Sequence, residues 1–443
     1  NLTVIIDVNR LGQRGETMHG WNLSAYSERA RAFGWHAIEV DGHDLTQIDL
    51  AYKQAINHQG KPTVIIARTV KGSGVTSVED KDGFHGKALE DPESAIAELG
   101  GITNFTVDVS PPDIDSNPYE FEVGAGIPPL YSLGDKVATR KAYGDSVSAL
   151  GQIRNDVVVL DAEVNNSTFS DTFKKSFPDR YFEMYIAEQQ MVASAIGMQV
   201  RKWIPFASTF AAFLSRAYDF VRMAAVSRAN ICLIGSHAGV SIGQDGPSQM
   251  ALEDISSMRA VHGSTVLYPS DANQTAKLVP QMADRSGVVY MRTTREATPV
   301  IYSSDEEFMI GGSNVVYSSD EDQITIIAAG ITVHESIKAI DQLASDEVKI
   351  RLIDIYSIKP IDRKTLEDAA SVTDYFITVE DHWMEGGLGD AVVDVFANND
   401  LNPQIHKLAV SDMPASGTPS ELLNAAGIDS ESIVGQVKRI LSS

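Results

Sequence analysis

A glycine-rich stretch with three polar side chains follows an apolar run in the middle of the chain. The stretch reads GSHAGVSIGQDGPSQM, residues 235–250, and it comes directly after the run ICLI. It carries the imidazole of His237, the carboxylate of Asp245 and the amide of Gln249 among four glycines. Glycine lets a backbone approach a ligand closely. The stretch therefore predicts a loop that faces a polar ligand.

Glu188, in the sequence IAEQQM, is a candidate acid. It stands between the segment YFEMYIA, which we predict as a strand, and the apolar helical stretch MVASAIGMQV. One interpretation is a carboxylate at a helix N-terminus, where the helix dipole stabilises it. The other is a semi-buried acid, at the end of a strand, that shares its proton with a ligand. The pattern alone does not decide between them.

Two phenylalanines of the sequence STFAAF, Phe210 and Phe213, are three residues apart, a spacing that predicts one helical face. Such a pair packs into a core or stacks on a flat ligand ring. His85, in the polar loop DGFHGK, comes fourteen residues after Lys71 and is either solvated or part of a site.

Several donors along the chain are able to bind a phosphate if the fold brings them together, although such arginines are more often surface charges. They are Arg140, Ser167, His237 and Arg295. The sequence contains no G-x-G-x-x-G, Walker A or H-E-x-x-H pattern.

The elements that must position these residues alternate between short apolar runs and amphipathic stretches, a pattern typical of parallel strands with crossover helices. We expect an α/β protein of three consecutive units with mainly parallel sheets. A proline-rich stretch from Asp108 to Asp135 predicts a linker, and the pattern changes again near residue 306. The predicted domains are 1–117, 118–305 and 306–443.

Ligands of open α/β sheets bind at the carboxyl ends of the strands. Four of the candidates follow predicted strands, and we therefore expect them to line sites: Lys71, Glu188, His237 and Arg295.

The charge balance restricts the partners of the chain. Of its 443 residues, 36 are basic and 60 are acidic, which gives a net charge of −24. Such a field repels phosphate and argues against nucleic acid or an anionic membrane as a main partner. The single cysteine, Cys232, excludes an intrachain disulfide framework and fits a reducing compartment, so we expect a cytoplasmic protein. We expect no membrane-spanning segment, because no apolar run reaches about 18 residues.

The motifs resemble those of the transketolase family, in its animal-type branch, from the first residue almost to the last. The matching runs are DVNRLGQ, GFHGK, ATRKAYG, NNSTFSDTF, YIAEQQM, FASTFAAF, GSHAGVSIGQDGPSQMALED and VEDHWMEGGLGDAV. Gln249 fits the animal branch, because bacterial and yeast-type enzymes usually carry histidine there. Gln190 departs from the asparagine of animal enzymes and adjoins Glu188, which affects the detail of the pocket.

The resemblance implies a fold and a reaction. The fold is the thiamine diphosphate-binding fold, with the C-terminal part of the diphosphate-binding domain in 1–117, the pyrimidine-binding domain in 118–305 and the transketolase C-terminal domain in 306–443. The reaction is transfer of a two-carbon ketol unit from a ketose phosphate to an aldose phosphate, in the pentose phosphate pathway. Thiamine diphosphate supplies the carbanion chemistry, and the protein positions it.

The resemblance also assigns roles to residues. Glu188 hydrogen-bonds a ring nitrogen of the aminopyrimidine, Phe210 and Phe213 line that ring, and Lys71 lies at the cofactor. The residues implied at the substrate are His85 for proton transfers, Arg140, Ser167, His237 and Arg295 for the phosphate, Asp245 with His237 for the hydroxyls, and Gln249 for the sugar or a neighbouring site residue. Asn9 and the carbonyl of Leu11 are implied ligands of Mg²⁺ or Ca²⁺.

The aspartate that opens the family's metal motif, in a G-D-G run, does not occur upstream of Asn9. We therefore expect this sequence to be a piece of a longer chain that binds metal and cofactor poorly by itself. The family also implies a homodimer with active sites at the subunit interface. Two alternatives are a non-catalytic transketolase-like binding or regulatory chain, and another thiamine enzyme such as a deoxyxylulose-phosphate synthase or a 2-oxoacid dehydrogenase component. The runs ATRKAYG and GSHAGVSIGQDGPSQ count against the second.

Overall fold

The structure, a computed structural model, describes residues 2–110, 120–124, 128–398 and 400–442. The chain divides into two compact units, Asn1–Ser116 and Asn117–Ser443, and each is described by itself. The predicted linker between Asp108 and Asp135 lies partly outside the described residues, because 111–119 and 125–127 are not among them.

The first unit is a parallel sheet of three strands in the order β1-β3-β2. Its elements are β1 Thr3–Val8, α1 Leu23–Ala32, β2 His36–Asp41, α2 Leu45–Asn57, β3 Thr63–Arg68 and α3 Pro92–Glu98. Successive side chains of the central strand β3 pack on opposite faces of the sheet, as in any strand. Val64 and Ile66 pack with the α1 side, and Ile65 and Ala67 pack with α2. This burial on both faces explains the continuous apolar run TVIIA.

The second unit begins with a seven-stranded sheet in the order β15-β9-β10-β8-β7-β5-β6, which is parallel except for β15. The elements of this part of the chain, in sequence order, are β4 Lys136–Ala138, α4 Thr139–Ile153, β5 Val157–Asp161, α5 Asn165–Thr168, α6 Asp171–Ser176, β6 Tyr181–Glu183, α7 Glu188–Val200, β7 Ile204–Phe210, α8 Tyr218–Val226, β8 Ile231–Ser236, α9 Asp254–Ala260, β9 Thr265–Leu267, α10 Ala272–Asp284, β10 Val288–Arg292 and β11 Ala297–Pro299. Strands β4 and β11 form a separate antiparallel pair.

The same unit also contains a five-stranded sheet in the order β12-β14-β13-β16-β17, in which only β12 is antiparallel. The remaining elements are β12 Asn314–Tyr317, β13 Ile324–Ala328, α11 Ile331–Leu343, β14 Ile350–Asp354, β15 Ser357–Lys359, α12 Arg363–Ala370, β16 Tyr375–Trp383, α13 Leu388–Phe396, β17 Gln404–Val410, α14 Pro419–Ala425 and α15 Ser430–Leu441. Strand β15 leaves this part of the chain and pairs with β9 of the seven-stranded sheet.

The structure confirms the α/β class with mainly parallel sheets, and it corrects one predicted element. The strand predicted over YFEMYIA is only three residues long, because the chain leaves the sheet after Glu183 and Tyr185 adopts a positive φ of 55°. Helix α4 begins at Thr139, because Lys136–Ala138 pair with β11.

Candidate functional site

Loops at the carboxyl ends of adjacent strands carry the candidate residues of the second unit. His237 directly follows β8, Phe210 ends β7, and Arg295 comes three residues after β10. Strands β10, β8 and β7 are neighbours and parallel, so these residues lie at one edge of the sheet. The prediction that candidates follow strands is confirmed for His237 and Arg295.

Three aromatic rings at this edge form a parallel stack. The ring of Phe210 lies 4.0 Å from that of His237 at 12°, and 5.1 Å from that of Phe213 at 13°. The guanidinium of Arg216 lies 4.8 Å from the centre of the Phe213 ring and continues the stack. The prediction that Phe210 and Phe213 share a helical face is wrong, because Phe210 is the last residue of β7 and Phe213 begins a short 3₁₀ segment, Phe213–Ala217.

Glu188 is buried, with 1% of its surface exposed, and is the first residue of α7. The predicted helix N-terminus is therefore confirmed, whereas the predicted strand end is wrong, since β6 stops at Glu183. Its Oε1 accepts a 2.5 Å bond from Nη1 of Arg216, whose side chain is half-exposed. Sequence reasoning missed Arg216. The available signal was its position three residues after Phe213, which places it on the same side of the 3₁₀ turn.

Two predicted phosphate-binding arginines converge with their neighbours. Arg140 donates from Nη1 to the carbonyl of Ser167, at 2.8 Å, and from Nε to the carbonyl of Arg295, at 3.3 Å. Arg295 donates to the carbonyl of Ile242 at 2.9 Å and lies 3.2 Å from the carboxylate of Asp245. The structure thus brings together residues from four separate segments, which the sequence could not establish.

His237 is held in an unusual backbone conformation at the centre of this group. Its φ is +56°, in the left-handed region, and its Nδ1 lies 2.9 Å from the hydroxyl of Ser236. Burial, with further contributions from Arg140 and Arg295, lowers the pKa of His237 to about 3. The imidazole is therefore neutral at physiological pH. Gln249 ends a one-turn 3₁₀ segment, Pro247–Gln249, in the same loop.

The short helix α5, which carries Ser167, is held in place by an acid that sequence reasoning missed. Asp161, at the end of β5, accepts bonds from the hydroxyls of Thr168 and Ser170, at 2.7 and 2.8 Å, and from the amide of Val164. Burial raises the pKa of Asp161 to about 7. Its signal in the sequence was its place at the carboxyl end of a wholly apolar strand.

The first unit brings together its own candidates. Nζ of Lys71 lies 3.0 Å from Nδ1 of His85 and 3.5 Å from the carbonyl of Gly12. Gly12 adjoins the predicted metal-binding residues Asn9 and Leu11, where the Asn9 side-chain oxygen accepts a 3.1 Å bond from the amide of Leu11. Within the described ranges, no group of three or more His, Cys, Asp or Glu side chains is placed to hold a metal ion.

Among the described residues, no helix is both long and apolar enough to cross a membrane.

Comparisons with known proteins cover all three predicted regions of the chain. Family profiles match as the thiamine diphosphate binding domain of transketolase over residues 1–107, its pyrimidine binding domain over 135–300 and its C-terminal domain over 313–433. The transketolase of Mus musculus is 45% identical over 449 residues, which cover 100% of this chain and 71% of the mouse protein.

Two solved structures extend the likeness. A chain described as "Split gene transketolase, inactive beta4 tetramer" is 35% identical, with a TM-score of 0.63, and covers 70% of this chain and 99% of its own. Transketolase of Campylobacter jejuni matches with a TM-score of 0.81 over 100% of this chain and 73% of its own, at 17% identity, and so shows the shared fold alone. The profiles and the identity to the animal enzyme establish that this chain belongs to the transketolase family, the thiamine diphosphate-dependent enzymes that act on sugar phosphates.

Proposed function

We propose that Glu188, Phe210 and Phe213 form the aminopyrimidine site for the ketol transfer of the family. When bound, thiamine diphosphate supplies the carbanion chemistry of the reaction. Glu188 shares a proton with a ring nitrogen of the aminopyrimidine. The supporting observation is that a buried acid at a helix N-terminus and an aromatic stack are joined through one residue, Arg216. Oε1 of Glu188 is engaged by Arg216, and its second carboxylate oxygen then serves the cofactor.

The substrate phosphate is bound by Arg140, Ser167, His237 and Arg295. The guanidinium of Arg140 donates to the backbone carbonyl of Arg295, and the two arginines provide a local positive charge, which an acidic protein requires for an anionic substrate. Asp245 and the neutral His237 hold hydroxyls of the sugar, and Gln249 contacts the sugar or a residue beside it. A phosphate that binds Arg295 competes with its ion pair to Asp245, so substrate binding frees that carboxylate for a hydroxyl.

The first unit carries the residues that we propose for the diphosphate and the metal. Lys71 lies at the cofactor and His85 assists proton transfers on the substrate, and their 3.0 Å separation supports a joint role. Asn9 and the carbonyl of Leu11 bind Mg²⁺ or Ca²⁺. Both are hard oxygen ligands, and the Asn9 oxygen keeps a second lone pair after its bond from Leu11.

We further propose a homodimer with sites at the subunit interface and a role in the pentose phosphate pathway, both by likeness to the family. The free, buried thiol of Cys232 supports a cytoplasmic location. Light scattering measures the mass of the cofactor-loaded protein and so tests the dimer. A monomeric mass would contradict the proposal.

Glu188→Gln tests the proposed function. A coupled ketol-transfer assay with thiamine diphosphate and Mg²⁺ should show a loss of about 10²–10⁴-fold, the usual contribution of an acid or base at the reacting group. The matched control is Glu93→Gln, an exposed acid in the first turn of α3, which should retain full activity. Undiminished transfer in Glu188→Gln would contradict the assignment.

The assay also addresses the non-catalytic alternative. The split-gene chain that matches 70% of this one is described as inactive, so the test is made on the chain alone and on the full product of its gene. Transfer by the full gene product supports the enzyme. Absence of transfer in both, with intact cofactor binding, favours a binding or regulatory role.

A further inference from the structure

A carboxylate of the five-stranded sheet contacts the backbone of the substrate-facing loop. Asp381 lies in β16 and is completely buried. Its Oδ1 accepts a 2.7 Å bond from the amide of Val240, and its Oδ2 accepts a 3.4 Å bond from the amide of Ser241. Val240 and Ser241 follow His237 in the loop, so a residue 141 positions away in sequence reaches the centre of the proposed site.

Gly239 makes this approach possible. A Cβ on Gly239 would lie 2.7 Å from Oδ1 of Asp381 and closer still to Oδ2, and its φ of +86° disfavours any side chain. The amide of Gly239 donates to the carbonyl of Met250 at 2.5 Å, which closes the loop on its other side. The backbone around Gly239 is therefore fixed by Met250 and Asp381 together.

Asp381 is itself fixed by a buried arginine. Arg292 is fully buried, donates to the carbonyl of Asp381 at 2.8 Å and lies 3.1 Å from the carboxylate of Asp254. Burial raises the pKa of Asp381, while Arg292 and the loop amides act in the opposite direction. The positive charge of Arg292 therefore favours a carboxylate where two amides need an acceptor.

The resulting loop conformation positions two groups of the proposed site, one before Gly239 and one after Ser241. His237, before Gly239, adopts a left-handed backbone that is uncommon outside glycine, and its ring then stacks on Phe210. Ile242, after Ser241, presents its carbonyl to Arg295 at 2.9 Å. Neither geometry is set by local sequence alone, because both depend on the path of the backbone between them.

We propose that Asp381 is a positioning residue for the substrate loop, which it holds through the amides of Val240 and Ser241. The C-terminal sheet, which carries none of the predicted site residues, thereby controls the placement of His237 and of the Ile242 carbonyl. The effect on substrate rests on the proposed function, whereas the effect on the loop does not.

The first test measures hydrogen exchange of the loop amides in the whole protein. Asp381→Asn keeps the size of the side chain but removes its charge and turns an amino group toward one amide. Exchange at Val240 and Ser241 should accelerate by about tenfold or more, the effect of losing a hydrogen bond to a charged acceptor. Unchanged exchange at both amides would overturn the proposal.

Glu380→Gln is the matched control. Glu380 is the neighbouring residue of the same strand, is equally buried and also accepts two backbone bonds, from Leu388 at 2.5 Å and Gly389 at 2.9 Å. Glu380→Gln should accelerate exchange of the amides at the start of α13 and leave exchange of the Val240 and Ser241 amides unchanged. If both variants accelerate exchange at the loop equally, the effect is general loosening and the proposal fails.

Kinetics on the cofactor-loaded enzyme supply the second readout. Asp381→Asn should raise the KM for a ketose phosphate about tenfold or more and leave the affinity for thiamine diphosphate unchanged, while Glu380→Gln changes neither. Faster loop exchange without a change in KM would leave the contact standing and contradict the substrate role of His237. Gly239→Ala disturbs the same contact with Asp381 intact and should reproduce both effects, which keeps the test valid if Asp381→Asn folds poorly.

Discussion

At the scale of single residues, His237 combines three constraints that seldom occur together. Its backbone is left-handed, its ring stacks on that of Phe210, and its pKa is lowered to about 3 by burial and by Arg140 and Arg295. A neutral ring can both accept and donate a hydrogen bond, which suits contact with a polyol. The same burial makes the fold sensitive to acid.

The sign of that sensitivity follows from the two pKa values. The ordinary pKa of histidine is 6.5 and that of His237 in the folded chain is about 3, so between these pH values the unfolded chain binds a proton that the folded chain does not. This contribution to stability is complete above pH 6.5 and is lost as the pH falls toward 3. Between pH 6.5 and 3, the unfolding free energy of His237→Asn should therefore change less steeply with pH than that of wild type, by up to about 1.4 kcal/mol per pH unit.

Urea unfolding of wild type and His237→Asn between pH 7 and 4.5 measures this difference. His262→Asn, at an exposed histidine, controls for the loss of an imidazole and should follow the wild-type slope. Parallel curves for His237→Asn and wild type would contradict the prediction.

Arg216 and Glu188 form an ion pair with one member buried, and its loss should be costly. Arg216→Met leaves a buried carboxylate without its partner, so the unfolding free energy should fall by about 1–3 kcal/mol. In a double-mutant cycle, adding Glu188→Gln to Arg216→Met should cost little more, because the ion pair is already lost and the second change removes the unpaired charge. Arg222→Met breaks an exposed pair with Asp219 and should cost less than about 1 kcal/mol. Additive losses at Arg216 and Glu188 would show that the pair is not coupled.

At the scale of elements, a glycine of helix α4 lies against the segment that contains Ser167 and Phe169. Gly144 lies within α4, and a Cβ there would lie 2.6 Å from Cβ of Phe169 and closer still to its carbonyl oxygen. Phe169 has a left-handed backbone and follows Ser167 by two residues. The close packing at Gly144 therefore sets the distance between helix α4 and the segment of Ser167 and Phe169. The contact between Arg140 and Ser167 depends on that distance.

Two glycine-to-alanine variants test this packing. Gly144→Ala should lower the unfolding free energy by about 1–3 kcal/mol through overpacking against Phe169. Gly197→Ala, inside α7, meets nothing within 4 Å and should be neutral or raise stability by up to about 1 kcal/mol through its better helix propensity. Thermal unfolding of both variants measures the contrast, and similar shifts would contradict it.

The elements differ in how far the sequence predicts them. Buried runs such as VVVLD and ICLIGS predict parallel strands well, because their own apolar side chains drive the burial. Strand β15 was not predicted, since three residues carry too little pattern and their conformation depends on β9. The same limit applies to the site. The strand-end rule placed His237, whereas Arg216 and Asp381 act through contacts that only the folded chain provides.

At the scale of the whole molecule, the part of the chain after residue 305 and the part before it share a sheet within the second unit. Besides the pairing of β15 with β9, Lys359 donates to the carbonyls of Arg259 and Val261, at 2.8 and 2.7 Å, and to the hydroxyl of Ser264 at 3.0 Å. The polypeptide between them is therefore not needed to keep the two parts together.

Cutting the chain tests this connection. A protease site inserted at the exposed Asp305 should be cleaved without separating the pieces, because β15 and Lys359 stay bound to the seven-stranded sheet. Gel filtration should give one peak at the uncut volume and denaturing electrophoresis two bands, with the uncleaved insertion as the control. Two peaks under native conditions would contradict the prediction.

The short strand β15 also shields its neighbour from other molecules. With β15 in place, β9 is hydrogen-bonded on both sides, between β15 and β10. A polypeptide ending before residue 313 would leave the amides and carbonyls of β9 open at the border of a large sheet, the arrangement that lets separate chains add strand to strand. The pyrimidine-binding region expressed by itself should therefore self-associate and precipitate.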